Sequence, residues 1–158
     1  MRKVHIMRKK YFKAKLTANL VKIGLIATKE KAKSFPTDFE ICFCSPLKRA
    51  KKTAEILVPY LDIKIDKRLM ERGVGDWENT PLTDEKLKQL SEGIVPPNGE
   101  TYKQIEERVL DFLNMIKNNY SKEKVLVVTH GGVINTIYKI LGLKVKTIDN
   151  IEMVTIEF

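Results

Sequence analysis

Apolar and polar positions alternate along this chain in short blocks, and the period of each block predicts an element. Lys3–Met7 (Lys-Val-His-Ile-Met) predicts a short strand. Leu20, Ile23, Ile26 and Ala27 recur at helical spacing within Leu20–Lys33, with Thr17 or Asn19 as a candidate N-cap. Phe39–Cys44 is a compact apolar run and predicts a buried strand; Pro46 then suits the first turn of a helix running to about Val58. Ile63 and Ile65 alternate with charged residues, which predicts a short strand. Arg72–Pro81, with Gly73, Gly75 and Pro81, reads as loop, and a helix is predicted over Asp84–Ser91. Val95–Gly99 is a second loop. In Tyr102–Asn118, Ile105, Val109, Phe112, Leu113 and Ile116 fall three or four apart, an amphipathic helix. Val125–Thr129 is the strongest buried strand; it runs into His130-Gly131-Gly132 and a helix to about Leu141. Ile151–Phe158 alternates and closes the chain as a strand.

Strands and helices therefore alternate, and the inner strands are continuously apolar. That pattern predicts an α/β fold with a mostly parallel sheet and helices on both faces. The length of 158 residues fits one domain over 1–158. In such sheets a ligand binds at the carboxyl ends of the strands. The informative segments are then Arg8-Lys9-Lys10, Ser45–Arg49 and His130-Gly131-Gly132.

Composition narrows the class. Apolar residues at 43% argue for a folded core and against disorder. No apolar run reaches the roughly 20 residues of a spanning helix, and the N-terminal apolar stretch is too short and broken for a signal peptide. Cys42 and Cys44 are the two cysteines, two apart in a predicted strand, so both face one way. They read as reduced core residues of a cytoplasmic protein, without partners for a thiolate zinc site. No other metal cluster and no cofactor motif is visible. The net charge of +9 is unevenly spread: residues 1–35 carry +10 and residues 36–158 carry −1. A solvated lysine-rich face would account for this; so would a pocket for a phosphate ester or a nucleic acid backbone. The aromatics are not interleaved with the basic residues, and no nucleic-acid motif occurs, which argues against the last. Oligomeric state is left open.

Two strand ends carry distinctive residues. Ser45-Pro46-Leu47-Lys48-Arg49-Ala50-Lys51-Lys52-Thr53-Ala54 follows one, and His130-Gly131-Gly132 follows the other. Between them lie Leu69-Met70-Glu71-Arg72-Gly73-Val74-Gly75-Asp76-Trp77-Glu78 and Pro97-Asn98-Gly99-Glu100-Thr101, the latter opening a helix that contains Arg108. In this order and rough spacing the four segments resemble the histidine phosphatase superfamily, the phosphoglycerate mutase-like family. The resemblance runs from residue 3 to the C-terminus. It implies a three-layer α/β/α sandwich and phosphomonoester chemistry without a metal or other cofactor. In that chemistry a histidine attacks phosphorus, arginines neutralise the phosphoryl oxygens, a second histidine donates to them, and a glutamate acts as acid and base. Carried onto this chain, Arg8 and Arg49 are the clamp and His130 is the second histidine. Gly131, at the start of the helix, adds backbone donors. Glu71 is the acid/base. Arg72 and Lys10 are further candidate contacts to a phosphorylated ligand.

The first motif departs from the family. Its usual form is Arg-His-Gly, with the histidine as nucleophile; here Lys9 stands at the nucleophile position and Lys10 replaces the glycine. Lys15 falls where the family often has Asn, and the stretch before Leu20–Gly24 is shorter than in mutases. The insertions that cover a mutase site also look absent. His5, the other histidine, lies four positions before Lys9 and reads as a core histidine with a local hydrogen bond rather than a relocated nucleophile. Glu100, Thr101, Trp77 and Ser45 each read as structural or as ligand contacts. The expectation is a pocket that binds a phosphorylated small molecule or inorganic phosphate, a pseudoenzyme with lost or much reduced phosphohistidine catalysis. Two alternatives stand beside it. One is an active phosphatase using His130, Glu71 and either Lys9 or water as nucleophile. The other is anion or nucleic-acid binding by the basic N-terminal segment.

Overall fold

Val125–Thr129 is buried at every position and forms β4, the middle strand of the sheet. The computed structural model describes residues 3–8, 18–81, 83–144 and 152–157. Among these, the strands are β1 (Lys3–Arg8), β2 (Ile41–Cys44), β3 (Ile63–Ile65), β4 and β5 (Met153–Glu157), in the spatial order β3-β2-β4-β1-β5. β3, β2, β4 and β1 run parallel to one another, and β5 closes the edge antiparallel to β1. The helices are α1 (Ala18–Ala32), α2 (Lys48–Leu57), α3 (Asp84–Ser91), α4 (Tyr102–Asn119) and α5 (Gly131–Ile140).

Alternation along the strands divides the core into two layers. Val125 and Val127 of β4 join Ile6, Phe43 and Ile156 under α4 and α5. Leu126 and Val128 face the other way, with Met7, Cys42 and Cys44, under Ala50, Ala54 and Leu57 of α2. The fold is thus an α/β/α sandwich on a mostly parallel sheet. Cys42 and Cys44 are free and buried in the second layer, as their spacing predicts. Burial pushes both thiols up to about 12, so neither is a ready thiolate at neutral pH. Among the described residues no helix is long and apolar enough to cross a membrane.

Register sets the site. Val4 lies opposite Val125 and Arg8 opposite Thr129, while Ile41 also lies opposite Val125 and Cys44 opposite Val128. The carboxyl ends of β1, β2 and β4 therefore finish side by side, and Ser45 N–H still donates to the Val128 carbonyl at 3.0 Å. Three expectations shift. β2 begins at Ile41 rather than Phe39, because Phe39 turns to stack on Phe35. Pro46 precedes α2 instead of sitting in its first turn; the helix starts at Lys48 behind Leu47. Asn19 lies inside α1 and does not cap it. Thr17 and Lys15 lie outside the described residues.

Candidate functional site

His130 is the last extended residue after β4 and the N-cap of α5, and it is fully buried. Its Nε2 lies 2.7 Å from Ser45 Oγ, also fully buried, just beyond β2. The Leu47 N–H donates to the same Ser45 oxygen at 3.3 Å. With one of its two acceptor sites taken by Leu47, the Ser45 hydroxyl can donate its proton to Nε2, and in that arrangement the ring proton sits on Nδ1. Nδ1 is buried and has no hydrogen-bond partner among the described residues. Burial, reinforced by the charges of Arg49 and Arg108, holds the imidazole down at about 3. The ring is therefore neutral, and Nδ1, its one nitrogen without a partner among the described residues, lies at the start of a ten-residue helix.

Glu71 approaches from a loop. Its Oε1 accepts from the Gly132 N–H at 3.1 Å and from the Arg72 N–H at 3.2 Å. A Cβ at Gly132 would collide with this carboxylate, so the second glycine after His130 is what admits it. The loop is fixed at several points. Thr129 Oγ1 at the end of β4 donates to the Leu69 carbonyl at 2.8 Å. Arg108 of α4 donates to the Arg68 carbonyl and pairs with Glu100, with Nη2 at 2.8 Å from Oε2. Glu100 Oε2 in turn accepts from the Gly73 N–H at 3.3 Å, and the Glu100 N–H donates to the Gly73 carbonyl at 2.9 Å. Arg108 thus reaches both sides of the segment that carries Glu71. Further along, Gly75 (φ 50°) packs against the Pro97–Gly99 backbone, too close for any side chain.

Arg49 stands in the first turn of α2, half-buried, where its charge acts on His130. Gly131 is the buried first residue of α5. His130, Ser45, Arg49, Gly131 and Glu71 thus gather at one end of the sheet. Arg72 is half-buried, with its guanidinium 4.2 Å over the Tyr102 ring. The Arg8 backbone ends β1 opposite Thr129; its side chain, Lys9 and Lys10 lie outside the described residues. Glu100 and Thr101 have structural partners: Glu100 binds Arg108, and Thr101 caps α4 in a reciprocal box with Gln104. Trp77 lies under Lys86 in the loop. His5 is half-buried, bonds Thr155 at 3.0 Å and meets Phe39 edge-on. It pairs with Leu126, four residues before His130, which at roughly 3.3 Å per residue is about 13 Å down the sheet.

Sequence reasoning missed two contributions. Arg108 was visible only as an arginine within a helix, and Gly132 only as the second glycine of a motif. They act through contacts 40 and 61 residues away in the chain, with Arg68 and Glu71. Among the described residues no three His, Cys, Asp or Glu side chains come together as metal ligands.

Comparison with known proteins gives this geometry a context. The sequence profile described as the histidine phosphatase superfamily (branch 1) matches residues 7–157. The uncharacterized phosphatase PhoE of Bacillus subtilis is 39% identical over 112 residues, covering 70% of this chain. The match spans 56% of PhoE, so the chain corresponds to little more than half of that relative. Among solved structures, the alpha-ribazole phosphatase of Shigella flexneri superposes with a TM-score of 0.74 at 20% identity, covering 98% of this chain and 90% of that one. A mycobacterial glucosyl-3-phosphoglycerate phosphatase, solved with inorganic phosphate, gives 0.70 at 19% identity, covering 98% and 89%. At these identities the structures speak for the fold alone.

Proposed function

The chain belongs to the histidine phosphatase superfamily (branch 1), and from that premise we propose that it binds a phosphorylated small molecule or inorganic phosphate, with phosphohistidine turnover lost or much reduced. In this reading Arg8 and Arg49 clamp the phosphoryl oxygens, and His130 donates to one of them from Nδ1. The α5 N-terminus at Gly131 adds backbone donors, Lys9 and Lys10 add fixed positive charge, and Glu71 lies on the ester side. The observation that carries it is the buried, neutral His130, with one nitrogen held by Ser45 and the other without a partner among the described residues, at a helix start. Carrying the ring proton, that nitrogen, beside arginine and a helix N-terminus, suits an oxyanion.

The expected loss of turnover rests on the sequence. Lys9 occupies the nucleophile position. A lysine ammonium has a pKa near 10.4 and no lone pair while protonated. A bound phosphate dianion favours the charged form of an adjacent amine, which then has no lone pair for attack.

A second reading is a slow phosphatase, and the retention of Glu71 on the Gly132 N–H favours it. Water would form the new bond to phosphorus as the ester P–O bond breaks, with Glu71 taking the water proton. The departing alkoxide would need a proton from His130, and a neutral imidazole is a poor acid. Attack by a deprotonated Lys9, giving a phospholysine, is the other form of this reading.

The test joins calorimetric titration with inorganic phosphate to phosphate release from p-nitrophenyl phosphate across about pH 4.5–8. The native chain, Lys9→His and His130→Ala are compared. The native chain should bind phosphate and release none from the ester. Lys9→His should gain release, and His130→Ala should lose binding. Release by the native chain that disappears in Glu71→Ala would select the second reading. A folded native chain that binds no phosphate would sink both.

A further inference from the structure

One donor at the start of α5 is already held by an anion, and that anion belongs to the chain. Glu71 Oε1 accepts from the Gly132 N–H at 3.1 Å and from the Arg72 N–H at 3.2 Å. A Cβ on Gly132 would overlap that oxygen, so the carboxylate sits hard against the helix. The same turn carries the fully buried His130, whose Nδ1 has no partner among the described residues. The chain's own carboxylate and an incoming oxyanion are therefore drawn to one helix N-terminus.

The backbone gives Glu71 little room to withdraw. Two residues before it, the Leu69 carbonyl accepts from Thr129 Oγ1 at 2.8 Å. Two residues after it, the Gly73 carbonyl accepts from the Glu100 N–H at 2.9 Å. Like charges held at close range disfavour the ionised form of one of them, so an anion arriving beside a fixed carboxylate favours its protonation. The other groups around Glu71 are poor takers of that proton. On its own loop, Arg68 is paired with Asp66 and Asp111, and Arg72 lies over Tyr102. Arg49 of α2 and Arg108 of α4 are, like them, guanidinium groups that already carry their proton. Glu100 is paired with Arg108, and the Tyr102 hydroxyl donates to the Leu90 carbonyl. Burial and the charges of Arg49 and Arg108 hold His130 down at about 3.

We propose that Glu71 makes the pocket take up an oxyanion together with one proton. In the free pocket Glu71 is a carboxylate on the Gly132 N–H; in the bound pocket that carboxylate is protonated. One O–H bond forms on Glu71 with a proton drawn from solvent or from the ligand, and no other bond changes. This rests on the phosphate-binding reading of the His130 pocket. Glu71 is thus a specificity-determining residue that selects ligands by charge state. A phosphoryl group that still bears a proton brings it along, whereas a fully ionised oxyanion binds more weakly as pH rises.

Sulfate is the probe, because it carries no proton of its own at neutral pH. Calorimetric titration of the native chain should show sulfate affinity falling at least about tenfold from about pH 5 to 8. Titrations near pH 7 in buffers of different ionisation enthalpy count the protons, and about one should be taken up per sulfate. Glu71→Gln keeps the shape and the acceptor but not the charge. It should bind sulfate about tenfold tighter than the native chain at about pH 8, lose the pH dependence and take up no proton. Asp84→Asn removes an exposed carboxylate of α3 and should behave as the native chain does. A native sulfate affinity that is flat with pH, or a proton uptake that survives Glu71→Gln, overturns the inference and leaves the phosphate reading standing. So does a native chain that binds inorganic phosphate at about pH 5 but not sulfate. If neither anion binds a folded native chain, the pocket reading falls and the inference with it.

Discussion

Ser45 is placed to decide which nitrogen of His130 carries the proton. If its hydroxyl donates to Nε2 while its oxygen accepts from the Leu47 N–H, Nδ1–H is left for a ligand. Ser45→Ala removes that control and strands a buried acceptor, which costs about 1–3 kcal/mol. Nitrogen-15 spectra of the native imidazole should show the Nδ1–H tautomer, and Ser45→Ala should populate the other one. Phosphate affinity should fall about tenfold with it, since the donor is then absent for part of the time. A native ring protonated at Nε2 would overturn the assignment. At this scale His130, Arg49 and Glu71 were legible, because the family resemblance attaches them to motifs. The part played by Ser45 was not legible. It depends on two strand ends, 85 residues apart in the chain, finishing side by side.

Elements add what single residues cannot. The Glu71 loop has no regular structure beyond the short 3-10 turns Lys67–Leu69 and Gly75–Trp77. It owes its shape to α4 and β4, through Arg108, Glu100 and Thr129. Arg108 and Glu100 are each 20% exposed at the side chain, so their pair is only lightly screened by solvent. Arg108→Leu should lower the unfolding free energy by about 2 kcal/mol, because a half-buried carboxylate and the Arg68 carbonyl lose their donor. Glu100→Gln should cost less. The double variant should cost less than the two combined, by about 1 kcal/mol, as groups in direct contact do. Denaturant titration measures all three, and strict additivity would show that the pair does not couple. The Tyr102–Asn119 helix was legible from its period, and its Thr101 cap was one of two readings of that residue. Its grip on a loop that begins some 30 residues earlier had no local signal, since nothing in Arg108's neighbours specifies the Arg68 carbonyl.

For the whole molecule, the buried imidazole ties stability to pH. His130 titrates near 6.5 in the unfolded chain and at about 3 in the fold. Between those values the unfolded state holds the extra proton, so stability rises with pH through the window and is lost as acid is added. Asp66 acts in the same direction at lower pH. Burial raises its carboxyl, but the Arg68 side-chain and backbone hydrogen bonds outweigh this and hold it below 3.8. Its contribution is therefore lost as pH falls below about 3.9. Thermal melts should show the native chain losing stability between about pH 6.5 and 5, before most carboxylates titrate. His130→Gln should flatten that part of the curve. A native melting temperature constant from about pH 7 to 5 would mean that the ring is not held neutral by burial.

Sequence by itself determined the elements, their order, the mostly parallel sheet and the end of that sheet where the candidate site lies. Each of these follows from local period and from the handedness and burial of parallel strands. It also determined the departure at Lys9, which is a matter of residue identity. Tertiary structure decided the rest. It set the contact of His130 with Ser45, the seat of Glu71 on the Gly132 N–H, the clamp of Arg108 across the loop, and the platform of Tyr102 beneath Arg72. The physical reason is the same in each case. A hydrogen bond or a stacked charge depends on distances of a few ångströms between residues distant in the chain, and only packing brings them that close.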